Sequence, residues 1–538
     1  MKILGLHACF GSKNHSPGAA ILSNGKIISC CEEERYNRIK DSWGKLPNFS
    51  IRSALKLAKI NINQIDLVVS TGITVKNFSK KIEKYFIEEF GYSPKILLVH
   101  HQLSHIASAF YSSGFKEATC VSLDGFGDGK SGLIADVSLK KGIKKIKYID
   151  KKDSLGRFYT LITEFLGYKT GDEYKVMGLA PYGKNNIDFS KVINFKNRYW
   201  KIDSSYFIDR QSVYLNTYSK KFEKKFKKYK RYPNQKINQF HKNLAASAQA
   251  ILTKSLLRGF HYAKNLSKFK NKVCFAGGVA LNCSAVKEII HSKIFKEIYI
   301  PPNADDRGLI VGNAYLGSVH LKEEIKKLDN PFLGSYYTDK EILVELKNNN
   351  CKFYKTKNSP KVAANLLAKG KIIGWHQDRS ETGARALGNR SILANPQIKN
   401  MKNILNKKIK YREEFRPFAP SVLEEDAENY FETLGHKIPY MNCIANAKIN
   451  NATKIKSAVH VDGSSRVHTV NKKFNLKFYK LIKYFKDITG IPVVINTSFN
   501  LKGQPIVETP RDALMTFFGS GLDYLIIGPF VITKNKKK

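Results

Sequence analysis

The sequence predicts an α/β protein with more than one domain, and three observations support this. The chain has 538 residues, which is more than one hydrophobic core usually serves, so we expect roughly three folding units. Hydrophobic residues make up 42% of the chain, which excludes a disordered or fibrous protein. A pattern of strand, polar or glycine-rich loop, strand, turn and strand also occurs twice along the chain.

The first copy of this pattern begins at the N-terminus. Residues 2–8 form an apolar run, the polar loop FGSKNHSPG follows, and the runs GAAIL and KIISCC flank Asn24-Gly25, which is typical of a type I′ hairpin. The second copy consists of ATCVSLDG, the glycine loop GFGDGKSG, LIADVSL, a Lys-Lys-Gly turn and IKKIKYI. Such a duplication is the plan of sugar kinases, Hsp70 and actin, which hold a nucleotide between two related α/β halves.

The rest of the chain extends this plan. Residues 243–264 have a helical period, and VCFAGGVALN is predicted to be a strand, a Gly-Gly turn and the start of a helix. The basic run at 220–231 is expected to be a solvated helix face, and residues 534–538 a solvated tail. We predict one domain at 1–350, made of halves at 1–115 and 116–350, and a second at 351–538.

The charge is strongly positive, since 91 basic and 45 acidic side chains give a net charge of +46. Such a charge favours phosphate-bearing partners or an anionic membrane surface, but we prefer lysines on solvated faces as the explanation, because the lysines are spread over the whole chain. No apolar run approaches the roughly 18–20 residues of a membrane helix. No signal pattern opens the sequence, and no C-x-x-C pair occurs among the eight cysteines. We expect a cytoplasmic protein without membrane insertion.

Two histidines and two aspartates are candidate metal ligands. If HHQLSH continues as a helix, His101 and His105 lie on one face, so both imidazoles can reach one ion. A hydrogen-bonded pair at a packed helix start explains them equally well. Asp124 in LDGFGDG ends a predicted strand, and Asp305 or Asp306 in NADDRG lies at a strand-to-helix turn. A mixed nitrogen and oxygen site of this kind suits ferrous iron or another divalent transition ion.

Two glycine-rich segments are candidates for nucleotide binding. GFGDGKS is one residue short of a P-loop, so we discount it. Gly277-Gly278, which follows an apolar strand, would let backbone N–H groups approach a ribose or phosphate closely, and the next helix N-terminus adds positive potential. A simple tight turn explains these glycines equally well.

The C-terminal part is rich in arginine and lysine beside glycine and small polar residues. Because arginine makes forked hydrogen bonds to phosphate, these segments predict a pocket for a polyanion, and we favour this over surface ion pairs. The sequence contains neither G-x-S-x-G nor a Cys–His signature, so we favour electrostatic activation over covalent catalysis. The candidates are Arg385, Arg390, Lys410, Arg412, Arg416, Arg466, Asn496, Ser498 and Asn500.

Eight segments, which span most of the chain, resemble the O-carbamoyltransferases of the NodU/CmcH type, a family that includes tobramycin carbamoyltransferase-like enzymes. Members act on nodulation factors, aminoglycosides, cephalosporins and other natural products. In the family's order the segments are NHSPGAAIL with CEEERYNRIK, HHQLSH with LDGFGDG, DEYKVMGLAPYG, FAGGVALN, GARALGNRSI, YREEFRPFAPSVL, DGSSRVHTV and NTSFNLKGQPIVETP.

The resemblance implies an actin-like (ASKHA), duplicated N-terminal module fused to a YrdC-like α/β module. The C-terminal module would make carbamoyladenylate from carbamoyl phosphate and ATP, with magnesium as the partner of ATP. The N-terminal module would then transfer the carbamoyl group to a hydroxyl of a sugar or natural-product acceptor at an iron site. No nucleic acid is required by this scheme.

The resemblance also assigns residues. His101, His105, Asp124 and Asp306 would hold ferrous iron or another divalent transition metal, and Asp306 is preferred to Asp305 by its spacing from Gly312. His15 would be the general base on the acceptor hydroxyl. Lys40 and Lys175 would offset charge on the intermediate. The nucleotide and carbamoyl phosphate would be bound by Gly277, Gly278, Asn282, Arg385, Lys410, Arg416, Arg466, Asn496 and Ser498.

Two other functions are compatible with parts of the sequence. The related module and the positive charge also fit an RNA-modifying enzyme of the tRNA threonylcarbamoyl-transfer type, whose RNA binding would weaken steeply with salt. A non-catalytic sugar- or membrane-binding protein could also have kept the fold. The segments after residue 370 favour the fused transferase over both.

Overall fold

The computed structural model describes residues 1–10, 15–195, 199–208 and 217–534. Part of the polar loop after the first strand and most of the predicted tail lie outside the described residues. The chain divides into two compact units, one made of residues 1–30 and 43–329, the other of residues 31–42 and 330–538. The predicted functional modules at 1–350 and 351–538 stay a prediction.

The first unit opens with a five-stranded mixed sheet. Its strands are β1 (Lys2–His7), β2 (Gly18–Ser23), β3 (Lys26–Glu32), β4 (Leu67–Thr71) and β5 (Ile96–Val99). They lie in the order β3-β2-β1-β4-β5, with β1 antiparallel to β2 and parallel to β4. The predicted hairpin turn is confirmed, since Asn24 and Gly25 have φ angles of 49° and 73°, as a type I′ turn requires.

A second five-stranded sheet in this unit repeats the plan. Its strands are β6 (Glu117–Gly127), β7 (Lys130–Ser138), β8 (Gly142–Asp150), β11 (Lys272–Ala276) and β12 (Glu297–Tyr299), and a separate short antiparallel pair is formed by β9 (Ile193–Asn194) and β10 (Lys201–Ile202). The order β12-β11-β6-β7-β8 matches the first sheet strand for strand, and β6 is antiparallel to β7 and parallel to β11. The predicted duplication is therefore confirmed, and the unit has the mixed α/β plan that an actin-like module requires.

Strand β6 is longer than predicted. The sequence placed a glycine loop directly after Asp124, but the strand continues to Gly127, with an irregular register between Leu123 and Gly127. The turn to β7 lies at Asp128 and Gly129, whose φ angles are 48° and 76°. An irregularity of this kind interrupts the pleat and re-aims side chains, and here it contains Asp124.

Helices surround these two sheets. The predicted helix at 243–264 is confirmed within Gln239–Leu266. Helix Leu309–His320 packs closely on helix His101–Ser113, because a Cβ added to Gly312 would lie 1.9 Å from the Ser104 carbonyl oxygen. The helices of the first unit are Asn48–Ala58, Phe78–Phe90, His101–Ser113, Leu155–Phe165, Glu173–Leu179, Lys220–Phe226, Gln239–Leu266, Cys283–His291 and Leu309–His320.

The basic run begins as helix Lys220–Phe226. Phe222 and Phe226 are buried, whereas Lys220, Lys221, Lys224 and Lys225 are exposed. The apolar side chains thus anchor the helix and the lysines face solvent, as expected for a solvated helix face.

The second unit is built on a nine-stranded mixed sheet. Its strands are β13 (Phe353–Lys355), β14 (Ile373–His376), β15 (Arg390–Ala394), β16 (Ala419–Leu423), β17 (Cys443–Asn446), β18 (Ser464–Val470), β19 (Val493–Ser498), β20 (Tyr524–Ile527) and β21 (Phe530–Thr533). They lie in the order β13-β21-β20-β14-β15-β19-β16-β18-β17. In β20, Leu525 and Ile527 belong to one apolar cluster and Ile526 to another, so both faces of the sheet are covered. The unit is α/β as predicted, and its YrdC-like character stays a prediction.

The helices of the second unit are mostly short. A π-helical turn, Asn406–Lys410, continues helix Met401–Leu405 and ends at Lys410, a predicted site residue. Within the described residues, we find no helix that combines the length and the apolar character needed to cross a lipid bilayer. The α-helices are Glu33–Asn37, Asp339–Asn348, Ser359–Ala368, Met401–Leu405, Ala427–Tyr430, Ile449–Ala452, Leu476–Thr489 and Pro510–Phe518.

Candidate metal centre and cationic site

The two predicted histidine ligands lie at the start of helix His101–Ser113. The imidazole of His100 caps the helix by accepting a hydrogen bond from the backbone N–H of Gln102, at 3.1 Å. Asp128, which the sequence analysis missed, accepts from the backbone N–H of His101 at 2.8 Å. One helical turn brings the Nε2 atoms of His101 and His105 within 3.1 Å of each other, and both rings are buried.

Two carboxylates complete the cluster. Nε2 of His101 lies 3.4 Å from Asp124 and 3.5 Å from Asp306, and Nε2 of His105 lies 3.9 Å and 3.4 Å from the same carboxylates. Asp124 comes from the irregular part of β6, and Asp306 begins the short turn that leads into helix Leu309–His320. One donor atom from each residue lies within 4.8 Å of every other, so the structure brings all four predicted ligands together.

The donor set fits a divalent transition ion. Ligands held about 2.1 Å from one ion lie about 3.0–3.5 Å from each other, close to most of the observed separations. Oδ1 of Asp306 is buried and has no hydrogen-bond partner among the described residues. Imidazole nitrogen with carboxylate oxygen suits iron, zinc or a similar ion. The four residues can therefore hold a metal, and ferrous iron stays the prediction for its identity.

The charges of the cluster also favour a bound cation. Burial by itself lowers the pKa of His101, but Asp306 and Asp124 outweigh it and raise that pKa to about 10. Burial alone would raise the pKa of Asp306, yet the neighbouring His101 holds it well below the usual value. Two largely buried carboxylates thus require positive charge beside them, and a protonated imidazole supplies it when no metal is bound.

The structure separates Asp305 from Asp306. The Asp305 carboxylate accepts a hydrogen bond from the backbone N–H of Arg307 at 3.2 Å and pairs with the Arg307 guanidinium at 2.5 Å. Asp306 alone of this pair faces the two histidines, as the resemblance implied.

The Gly-Gly turn supports Asp124. The backbone N–H of Gly278 donates to Oδ1 of Asp124 at 2.8 Å. Gly277 has a φ of 90°, and a Cβ on it would lie 2.1 Å from the carbonyl oxygen of Leu123. These glycines therefore let the turn approach β6 closely enough to hold a cluster carboxylate. Their predicted contact with adenosine stays a prediction.

His15 lies beside the cluster. Its Nε2 is 3.7 Å from Oδ2 of Asp306, its Nδ1 is 3.0 Å from the Ser16 hydroxyl, and its side chain is 38% exposed. The sequence analysis missed His7, whose Nε2 lies 3.1 Å from the His15 carbonyl oxygen. Burial lowers the His7 pKa to about 4, so this imidazole stays neutral and fixes the backbone of His15. The sequence signal that could have identified His7 is its place at the end of the apolar strand β1.

Three other predicted residues have different surroundings. Lys175 pairs with Asp172 at 2.9 Å. Asn282 caps the helix that begins at Cys283. Lys40 lies in the N-terminal segment that belongs to the second unit. Their predicted roles around the transferred group stay predictions.

In the second unit, Lys410 and Ser498 lie together. Nζ of Lys410 donates to the Ser498 carbonyl oxygen at 2.5 Å and to the carbonyl and side-chain oxygens of Asn500 at 3.0 Å and 2.7 Å. Burial lowers the Lys410 pKa well below its usual value, and the neighbouring charges of Arg412 and Arg416 lower it further. The Lys410 amine thus lies beside the end of β19, close enough to Arg412 and Arg416 to feel their positive charge.

The candidate arginines of the second unit have different surroundings. Arg385 lies on the loop between β14 and β15, Arg466 lies on β18, and the Arg416 guanidinium is 3.7 Å from Glu413. Arg390, grouped with the phosphate-binding candidates from the sequence, is completely buried. It donates instead to backbone carbonyls, which include Gln377 at 2.6 Å. Its assignment to phosphate binding is therefore wrong, because its donors hold the loop backbone.

Asn496 is fully buried in β19. Its Nδ2 donates to the Ala386 carbonyl at 3.1 Å and to the Ser421 hydroxyl at 3.0 Å, and the same hydroxyl lies 2.8 Å from Nδ1 of His468. Oδ1 of Asn496 has no hydrogen-bond partner among the described residues. Asn496 thus connects the centre of the sheet to the loop that carries Arg385.

Acid should destabilise the protein less after His468→Gln. Burial lowers the His468 pKa to about 3, so the folded protein keeps this ring neutral while the unfolded chain binds a proton below about pH 6.5. The contribution of the neutral His468 ring to the free energy of unfolding is fully present above pH 6.5. It is lost as the pH falls toward 3, by about 1.4 kcal/mol per pH unit. Free energies of unfolding, measured with urea between pH 6.5 and 4.5, should therefore fall less steeply with decreasing pH in His468→Gln than in the wild type, by about 1.4 kcal/mol per pH unit.

The exposed His320 provides the control. His320→Gln makes the same substitution at an exposed ring, so it removes a histidine without disturbing the core. An unchanged slope in His468→Gln would contradict the assignment of His468 as a buried neutral group.

A duplicated α/β unit with a buried histidine–aspartate centre, and a second α/β unit that gathers cations at a strand end, define a two-unit α/β enzyme. Two family models match the chain: "Carbamoyltransferase N-terminus" over residues 90–315 and "Carbamoyltransferase C-terminus" over residues 364–534. The chain belongs to the carbamoyltransferase family, as the resemblance indicated, and is a carbamoyl-transferring enzyme.

Relatives that match most of this chain support this membership. Nodulation protein NolNO of Sinorhizobium fredii is 34% identical over 97% of this chain and 79% of that protein. Nodulation protein NolO of Bradyrhizobium diazoefficiens is 34% identical over 81% of this chain and 78% of that protein. An uncharacterised protein of Methanocaldococcus jannaschii is 32% identical over 97% and 98% of the two chains.

Solved structures are more distant. Component A of (R)-2-hydroxyglutaryl-CoA dehydratase from Acidaminococcus fermentans has a TM-score of 0.35 and 15% identity over 59% of this chain and 97% of that chain. HypF of T. kodakarensis has a TM-score of 0.33 and 15% identity over 60% and 48%. The duplicated plan of the first unit rests on its strand order.

Proposed function

We propose that the enzyme is an ATP-dependent O-carbamoyltransferase that works in two steps in two separate sites. The observation that carries this is the distribution of groups: the histidine–aspartate cluster lies in the first compact unit, whereas Lys410 and Ser498 lie in the second. A cationic pocket suits phosphates, and a nitrogen and oxygen cluster suits a divalent ion, so the two sites favour different chemistry.

The first step would occur in the second unit. Carbamoyl phosphate, ATP and water would give carbamoyladenylate, pyrophosphate and phosphate: water releases carbamate, a carbamate oxygen attacks the α-phosphorus of ATP, and the bond to the β-phosphate breaks. Arg385, Lys410, Arg416 and Arg466 would neutralise the phosphate oxygens, where negative charge accumulates. The backbone carbonyl and amide side-chain oxygens around Lys410 hold its amine in place.

The second step would transfer the carbamoyl group in the first unit. The acceptor hydroxyl oxygen would attack the carbamoyl carbon, the bond to AMP would break, and the hydroxyl proton would pass to Nε2 of His15. This imidazole is partly exposed and lies 3.7 Å from Asp306, so an acceptor could reach it beside the cluster. An ion bound by the cluster would supply Lewis-acid polarisation of the carbamoyl carbonyl.

The acceptor class is proposed from the family, as a hydroxyl on a sugar or natural product. His7 and Ser16 would hold His15 in the orientation needed for proton transfer, since one contacts its carbonyl and the other its Nδ1. Lys175 would balance the phosphate of the leaving AMP.

An assay of pyrophosphate release tests the proposal. The full-length protein, incubated with carbamoyl phosphate, ATP and magnesium in the absence of RNA, should release pyrophosphate and form carbamoyladenylate. Label from carbamoyl phosphate should then enter a pool of small sugars. Strict dependence on RNA would support the tRNA-modifying alternative, and no turnover under any condition would support a non-catalytic protein.

A further inference from the structure

A short N-terminal segment, residues 31–42, forms part of the second unit. It contains helix Glu33–Asn37, and the charged side chains of Glu32 and Arg35 are only 5% and 3% exposed. Arg35 contacts a residue that lies 346 positions later in the chain. The sequence analysis assigned no role to either residue.

This segment holds one end of the loop that carries Arg385. We call residues 381–389 the arginine loop. Glu32 accepts hydrogen bonds from the Gly383 backbone N–H at 2.5 Å and from the Thr382 hydroxyl at 3.3 Å. Arg35 donates to the Gly383 carbonyl at 2.9 Å and to the Glu381 carbonyl at 3.3 Å. Both polar backbone groups of Gly383 are therefore held by the segment.

The conformation of the arginine loop depends on Gly383 and on Glu381. Gly383 has a φ of 94°, in the region that only glycine adopts readily. At the other end, the Glu381 carboxylate accepts from the backbone N–H groups of Leu387 at 2.6 Å and Arg390 at 3.3 Å. The loop is thus closed by charged groups at both ends, with Arg385 between them.

The same segment also holds the chain that follows β19. Arg38 donates to the carbonyls of Ile506 at 2.7 Å and Pro505 at 3.0 Å. This stretch begins with Ser498 and Asn500, which surround the amine of Lys410. Residues 31–42 therefore support both the loop that carries Arg385 and the chain that follows Ser498.

Stability alone does not explain these buried charges. Glu32 and Arg35 form an ion pair at 3.2 Å, and such a buried pair usually adds little stability compared with apolar side chains of similar volume. Charge-assisted hydrogen bonds to the backbone, however, are short and directional, so they fix a loop in one geometry. The arrangement is therefore suited to positioning.

We propose that Glu32 and Arg35 are positioning residues for formation of carbamoyladenylate. By holding both polar groups of Gly383, they fix the arginine loop so that Arg385 binds phosphate oxygens of carbamoyl phosphate or ATP. The inference rests on the proposed function of the second unit. Neither residue touches the substrate, since both act through the backbone of the loop.

Glu32→Ala in the full-length protein tests this inference. Misplacement of a binding group by about 1 Å can cost about a hundredfold, so we expect kcat/KM for pyrophosphate release to fall by about that factor, with most of the loss in KM. Glu32→Gln keeps an acceptor for the Gly383 N–H and should stay within about threefold of wild type. Arg35→Lys should fall by about tenfold, because one ammonium cannot reproduce the forked donor.

Asp426→Asn is the matched control. Asp426 is a buried carboxylate of the same unit, paired with Lys486 at 2.9 Å, so its loss should lower the Tm without changing KM. Wild-type KM in Glu32→Ala, or in Arg35→Lys if Glu32→Ala does not fold, would overturn the inference while the proposed function stands. A wild-type protein that releases no pyrophosphate would overturn the proposed function and this inference with it.

Discussion

Replacing His101 by alanine should abolish carbamoyl transfer to the acceptor while formation of carbamoyladenylate survives. The substitution removes the nitrogen that lies 3.4 Å from Asp124 and 3.5 Å from Asp306, so the remaining donors no longer surround an ion. Because a catalytic metal supplies several kcal/mol of transition-state stabilisation, transfer should fall by about a thousandfold or more. Label transfer from carbamoyl phosphate to sugars, measured beside pyrophosphate release, separates the two steps.

A neighbouring histidine provides the control for this experiment. His100→Asn changes the residue next in sequence, but asparagine is a good helix cap, so the cluster should stay intact. Metal analysis of the purified proteins should find less bound transition metal in His101→Ala and in His105→Ala than in His100→Asn. Equal metal content in all three would refute the assignment of the cluster as a metal site.

Arg416→Ala should have the opposite effect and abolish adenylate formation first. Arg416 contributes to the positive charge around Lys410, and truncation of a residue that binds a charged group typically costs 2–5 kcal/mol. We therefore expect a loss of about a hundredfold or more in kcat/KM for carbamoyl phosphate in the pyrophosphate-release assay. Transfer from carbamoyladenylate supplied directly should be preserved.

The exposed Arg511 of the same unit is the control, since Arg511→Ala removes an equal charge from helix Pro510–Phe518. It should leave pyrophosphate release near the wild-type rate. The His101→Ala and Arg416→Ala variants should be compared in the same pyrophosphate-release assay. If both His101→Ala and Arg416→Ala abolished pyrophosphate release equally, the assignment of the two steps to separate sites would be wrong.

The cluster could be predicted because its signals are local. Helical geometry places His101 and His105 on one face whatever the rest of the chain does. Asp124 follows an apolar run within β6, and Asp306 begins a helical turn, so each lies where side chains of an α/β fold converge. The duplicated sheets were predictable for the same reason, since each hairpin depends on a short turn.

The rest depends on contacts between distant parts of the chain. Nothing in CEEER indicates that Glu32 and Arg35 hold a loop whose residues lie about 350 positions later. The misassignment of Arg390 has the same origin, because a lone sequence does not distinguish an arginine that holds backbone carbonyls from one that binds phosphate. Arg385 and Arg390 look alike in GARALGNRSI, and only burial separates them.

The discontinuous second unit has a consequence for synthesis on the ribosome. Residues 31–42 leave the exit tunnel early, whereas Gly383 and Ile506, which they bind, follow only after several hundred more residues. At about 5–20 residues per second, this delay is on the order of tens of seconds. A stop codon or stalled ribosome before residue 383 would therefore leave residues 31–42 without any of these partners.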